Sequence, residues 1–245
     1  VNPMSTSRNK YFDKTKNHTI FTPPPVCEWL AEIIKPELSK IEFIFDPAVG
    51  SGNLLHPFKG KTLLGCDIED FQPNITQFWQ DDFLTWRGNY PTMDLVIMNP
   101  PYNHTKETRK KWGRSSLLPE LFAAKCFELF GKDVRLIMFT PMGFRLNTRC
   151  SSRKQGERYR NIRDKMGKIT SVVSLPLDVF PNPDFDSEAD EVRRNPKKKI
   201  MHSNIKRKEA HQEILFFNMP KLDAHYCLPD KVLNELRIMD MEAWK

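Results

Sequence analysis

Leu95-Val96-Ile97-Met98-Asn99-Pro100-Pro101-Tyr102 joins an apolar tetrapeptide directly to a polar, proline-stiffened one. Four consecutive apolar side chains predict a strand buried on both faces, as in a parallel sheet covered by helices. Proline brings no N–H to a ladder, so the chain must leave the sheet at Asn99. Polar and aromatic groups are therefore delivered to the carboxyl end of a strand. Open α/β sheets place their ligands there.

The tetrapeptide has the donors and acceptors for one kind of chemistry. The exocyclic amine of adenine is a poor nucleophile because its lone pair is delocalised into the ring. A side-chain amide oxygen on Asn99 and the carbonyl of Pro100 can each accept one of its two hydrogens, favouring a tetrahedral nitrogen with a free lone pair. Pro100 and Pro101 fix the direction of that carbonyl, and Tyr102 offers a face on which an extruded base can stack. Alone, the four residues would also suit a proline turn closed by an aromatic plug.

Upstream, Ile41–Phe45 predicts another buried strand, followed by Asp46-Pro47-Ala48-Val49-Gly50-Ser51-Gly52-Asn53. Gly50 and Gly52 permit a tight turn and close approach of a ligand to the backbone. The third glycine of a dinucleotide fingerprint is missing, and no lysine stands in the phosphate-loop position. Such a turn suits a cofactor that carries an adenosine without phosphates. A third apolar run, Thr62–Cys66, ends in Asp67, 15 residues after Gly52, about where related sheets hold ribose hydroxyls. Asp82-Phe83 then pairs a carboxylate with an aromatic, suited to flanking an adenine ring.

In this order the motifs resemble those of S-adenosylmethionine-dependent adenine-N6 DNA methyltransferases. Asp46–Leu55 (DPAVGSGNLL) is similar to the cofactor motif of bacterial modification enzymes. Phe21-Thr22-Pro23-Pro24-Pro25-Val26 resembles the element that precedes it, and the sequence of motifs matches the gamma arrangement. The resemblance covers residues 19–218. It implies a Rossmann-like α/β fold, a mostly parallel seven-stranded sheet with helices on both faces and a last antiparallel strand. By the same resemblance Phe21, Thr22, Asp46, Ala48, Gly50 and Gly52 line the methionine side of S-adenosylmethionine. Asp67 holds the ribose, Asp82 and Phe83 take the adenine, and Asn99, Pro100, Pro101 and Tyr102 hold the target base. No general base is required, because the amine becomes acidic after attack. Phe180 stands where related enzymes place an aromatic against the flipped base, and it also fits a core position.

Charge agrees with a polyanionic partner. Residues 1–100 contain nine Lys and Arg against twelve Asp and Glu, while the totals are 38 and 31 and the net charge is +7. The remainder is thus strongly basic. Its cations cluster as Lys106, Arg109, Lys110, Lys111 and Arg114 around Trp112, then Arg145, Arg149, Arg153 and their neighbours, then Lys197, Lys198 and Lys199. One such run is ordinarily a solvated surface; three downstream of the proline turn are read as phosphate contacts with duplex DNA.

Five cysteines without close pairs argue against a disulfide framework and for a reducing cytoplasm, and the resemblance implies that of a bacterial or phage-infected cell. Six scattered histidines lack metal-ligand spacing, so no metal is expected. No apolar stretch reaches the length of a membrane span, and no membrane partner is expected.

Helices are predicted at 24–35, ended by Pro36, at 119–130 and at 229–244. Strands are predicted near 41–45, 62–66, 94–98, 134–140, 169–175 and 213–218, the last antiparallel. A single catalytic domain spans 1–245, with basic insertions at 103–116, 145–168 and 181–212. Only a short helix follows residue 218, too little for the separate target-recognition domain common in gamma-arranged enzymes. Recognition is then expected to be short or relaxed, or to come from a specificity or partner subunit. Three alternatives stay open: an RNA or protein glutamine-amide acceptor, a partner-dependent subunit inactive alone, and cytosine-N4 methylation.

Overall fold

The apolar runs of this chain alternate between two cores. Ile44, Leu95, Ile97, Ile137, Phe139, Ile214 and Phe216 enter one cluster, while Phe45, Val96, Met98, Leu136, Met138, Leu215 and Phe217 enter the other. Successive strand side chains point to opposite faces, so a sheet built from such runs needs a cover on both sides. The computed structural model describes residues 21–87, 91–102, 110, 118–145, 165–176, 179–180, 212–222 and 227–243. In it the sheet comprises β1 (Phe43–Asp46), β2 (Thr62–Asp67), β3 (Gln77–Gln80), β4 (Leu95–Met98), β5 (Arg135–Pro141), β6 (Ile169–Leu175) and β7 (Gln212–Phe217).

Strand order is β3-β2-β1-β4-β5-β7-β6. β7 lies antiparallel between β5 and β6, and the other pairings are parallel. This is the expected Rossmann-like sheet. Helices α1 (Pro24–Ile34) and α3 (Asp230–Ala243) cover the first cluster, contributing Val26, Leu30 and Ile34 from one and Val232 and Leu236 from the other. Helix α2 (Leu118–Phe130) covers the second with Phe122, Ala123, Cys126 and Phe127.

Three details differ from the sequence expectation. Pro36 does not stop the chain's helical path: α1 ends at Ile34, and Lys35–Lys40 continue as a 3₁₀ turn with Pro36 in its opening positions. A proline is tolerated there because its missing N–H has no intrahelical acceptor to lose. β3 is a short edge strand with two half-buried residues between two exposed glutamines, and that pattern neither alternates nor forms an apolar run that would announce it. Gln212 opens β7 rather than closing the third basic insertion, and its partner across the ladder is Pro141.

Asn218 ends the sheet with a left-handed backbone (φ 54°). Its amide donates to the carbonyls of Lys132 (2.7 Å) and Val134 (2.9 Å) and accepts from Lys168 N–H (3.0 Å). Asparagine is among the few residues that adopt this conformation readily. Among the described residues no helix is long and apolar enough to cross a membrane.

Candidate active site

The carboxyl ends of β1, β2 and β4 converge, and each delivers one predicted motif. Beyond β1 the chain turns back on itself: Asp46 Oδ1 accepts from Ala48 N–H (2.9 Å) and Gly52 N–H reaches Val49 C=O (2.8 Å). Gly50 has φ +50°, and a Cβ there would stand 2.7 Å from Cε1 of Phe21. The Phe21 ring occupies the space that a side chain would need, so any larger residue at 50 would push the ring aside and hold a left-handed backbone that favours glycine. Gly52 is also left-handed, at φ +83°.

Asp67 ties β2 to this loop. Its Oδ2 accepts from Gly50 N–H at 2.8 Å and its Oδ1 from Glu69 N–H at 3.2 Å. Burial pushes the Asp67 carboxyl above the usual aspartate range, against the opposing pull of those N–H groups. Asp46 is pushed well up by its own burial, with the charge of Asp67 adding to the rise and the Ala48 N–H opposing it. Residues 46–53 contain no lysine or arginine. Two desolvated carboxylates beside glycine amides form a donor set that suits a cationic, phosphate-free ligand and not a polyphosphate.

The adenine-side residues are placed differently from one another. Asp82 is half-buried and accepts from Leu84 N–H (3.0 Å). Phe83 is only 2% exposed, between Phe45 and Phe122 with ring centroids 5.8 and 5.4 Å away. Its ring serves the second core. Ile68, directly after Asp67, is instead 67% exposed. Phe71 stacks edge-on against Phe21 at 5.4 Å. Neither residue is marked by its sequence context, since an isolated apolar residue in a loop has no periodicity.

At the end of β4, Asn99 donates from Nδ2 to Thr22 Oγ1 at 3.1 Å. Thr22 is 3% exposed, and its carbonyl accepts from Asn53 Nδ2 (3.1 Å) and from the Cys27 thiol (3.6 Å). Asn53 in turn accepts from Ser51 Oγ (2.9 Å). Pro100 is buried and Pro101 exposed. Tyr102 donates its hydroxyl to Gln212 Oε1 at 3.0 Å, and burial pushes its phenol upward, so it remains a donor at neutral pH.

Arg145, expected to meet phosphate, has its guanidinium within the fold: it binds Glu213 in bidentate fashion at 2.8 and 2.9 Å. Glu213 is 3% exposed. Phe180 packs edge-on against Phe139 in the first core. Lys110 is exposed. Lys106, Arg109, Lys111, Arg149, Arg153 and Lys197, Lys198 and Lys199 lie outside the described residues. Asn53 and Gln212 were not foreseen as site residues. The former closes the glycine motif, which is the only signal for it.

No family model matches the sequence, and no curated relative does. Solved structures do match. A protein from Listeria monocytogenes assigned to the class I S-adenosylmethionine-dependent methyltransferases aligns over 96% of this chain and 75% of its own, with TM-score 0.57 and 17% identity. The type IIG restriction endonuclease BpuSI aligns over 93% of this chain and 30% of its own (TM-score 0.53, 15% identity). DrdV, solved as a DNA complex, aligns over 90% of this chain and 29% of its own (TM-score 0.53, 11% identity). The chain thus spans less than a third of the latter two. With β7 inserted antiparallel between β5 and β6, it has the Rossmann-like methyltransferase fold.

Proposed function

We propose that this protein transfers a methyl group from S-adenosylmethionine to the N6 amine of an adenine extruded from DNA. The observation that carries the reading is the bond of Asn99 to Thr22, whose carbonyl also holds Asn53 of the glycine loop. It joins the proline turn, read as the amine-binding element, to the glycine loop, read as the cofactor element, through hydrogen-bonded side chains.

S-adenosylmethionine supplies an electrophilic methyl group on a cationic sulfonium. The Gly50–Gly52 turn and Phe21 bound its methionine side, and Asp46 and Asp67, whose ionised forms a neighbouring cation favours, complement its charge. Asp67 takes the ribose, with Ile68 and Asp82 at the adenine. Asn99 Oδ1 and Pro100 C=O accept the two amine hydrogens, and Tyr102 stacks on the base. Positioning and electrostatics account for the catalysis, and the proton leaves after attack. The basic composition beyond residue 100 supports a nucleic-acid acceptor. BpuSI and DrdV, which share the fold, are a restriction endonuclease and a DNA-bound protein.

The test is methyl transfer from labelled S-adenosylmethionine to unmethylated duplex DNA, with structured RNA in parallel, followed by nucleoside mass analysis. N6-methyldeoxyadenosine that disappears in Asn99→Ala, with cofactor affinity held within about threefold, is the expected result. Label only in RNA, or only in protein, overturns the DNA assignment.

A further inference from the structure

A side-chain amide has two ends of nearly equal size and opposite function. If Asn99 presents Oδ1 to the substrate, it accepts a hydrogen and enriches the nitrogen lone pair. If it presents Nδ2, it donates into that lone pair and blocks attack. Whatever binds the other end of the amide therefore decides whether the turn works.

That partner is the Thr22 hydroxyl, 3.1 Å from Asn99 Nδ2. Thr22 is itself held from several sides. It precedes Pro23, which restricts its backbone to extended conformations, and Pro23 caps α1 at φ −61°, ψ 140°. Its carbonyl receives Asn53 Nδ2 and the Cys27 thiol. It is 3% exposed, so water has little access to compete for the hydroxyl. The arrangement runs from the glycine loop through Asn53 and Thr22 to Asn99.

We infer that Thr22 is a positioning residue: its hydroxyl, accepting from Nδ2, holds the amide of Asn99 in the arrangement that leaves Oδ1 for the acceptor amine, and its carbonyl registers that amide to the cofactor loop. Its side chain then acts on turnover through Asn99 and not on cofactor affinity. This rests on the methyl-transfer reading and sharpens the part that the resemblance assigns to Thr22, which is contact with the cofactor.

Thr22→Val keeps the shape and removes the hydroxyl; Thr22→Ser restores it. Expected for Thr22→Val is a loss of about tenfold to a hundredfold in kcat on duplex DNA, the scale of a misplaced reacting group. The S-adenosylmethionine Kd should stay within about threefold, and Thr22→Ser should recover most of the rate. An unchanged kcat overturns the inference, as does a rise in cofactor Kd that matches the loss of rate.

A second readout needs no turnover. The Asn99 side-chain amide, assigned in ¹⁵N spectra by its absence from Asn99→Ala, should exchange slowly with solvent in the wild type and Thr22→Ser, and quickly in Thr22→Val. Equal exchange in all three overturns the positioning role. Slow exchange that depends on the hydroxyl, in a wild-type protein that methylates no DNA, supports the positioning and overturns the DNA assignment alone.

Discussion

Tyr102 and Gln212, 110 positions apart in the chain, share a 3.0 Å hydrogen bond across the mouth of the site. The bond exists because β7 runs antiparallel, which brings its first residue to the carboxyl end of β5, opposite Pro141. A parallel seventh strand would present its last residue there instead. Tyr102→Phe should keep the stacking face and lower turnover by about 1 kcal/mol, the ordinary worth of one hydrogen bond. Tyr102→Ala should cost about 1–3 kcal/mol, the range for a lost base–aromatic stack. Gln212→Leu should match Tyr102→Phe, and the pair combined should cost no more than either alone. Single-turnover kinetics on duplex DNA measure all four variants, and additive losses would show that Gln212 does not act through Tyr102.

Asp46 and Asp67 should make the ligand-free protein more stable as pH falls. Their folded-state pKa values are raised above the ordinary 3.8. The native state therefore holds more protons than the unfolded one between 3.8 and the raised values, and the unfolding free energy has a negative slope with pH there. The stability gained is complete below the ordinary value and lost as pH rises through the raised ones. A cationic ligand favours the ionised carboxylates, so the rise in Tm caused by S-adenosylmethionine should shrink as pH falls through the same interval. Thermal melts with and without the cofactor across that interval check both slopes. Asp46→Asn, which keeps an oxygen for Ala48 N–H, should raise the ligand-free Tm at neutral pH.

Arg145, partly exposed, pairs with the buried Glu213 at the start of β7. Arg145→Met leaves Glu213 in the sheet without its guanidinium and should cost about 3 kcal/mol in urea denaturation, at the low end for a broken buried pair because Arg145 is partly exposed. Glu213→Gln in the same chain should recover much of that loss. If Arg145→Met leaves stability unchanged and weakens only DNA binding, the arginine belongs with the phosphate contacts.

Lys197, Lys198 and Lys199 test the electrostatic side of the proposal. Replacing all three with glutamine should weaken binding to duplex DNA and flatten the log–log salt dependence by up to about 3, close to one per phosphate contact. Fluorescence anisotropy over a salt series measures it. An unchanged slope makes this run a solvated surface.

Six of the strands and the three helices were legible because their apolar residues run together or repeat at strand or helix spacing. Ile169–Leu175 coincides with its prediction, and the others differ by a residue or two at their ends. β3 escaped because four residues at an edge bury too little to impose a pattern. Phe83 illustrates the limit within the site. An aromatic after an acid reads as a ring beside a ligand, yet its neighbours Phe45 and Phe122 draw it into the core. The exposed apolar surface falls to Ile68, a residue with no local mark.

Local chemistry was enough to place the motifs at strand ends. Proline must leave a ladder at Asn99, and glycine at 50 readily takes the left-handed turn found there. Alternation likewise assigns each strand residue to a face. It carries no information on which strand lies beside which, because pairing order depends on how two whole cores close. Tertiary structure alone therefore decided that Thr22 meets Asn99, that Gly50 meets Asp67, and that an antiparallel β7 sets Gln212 against Tyr102 and Glu213 against Arg145.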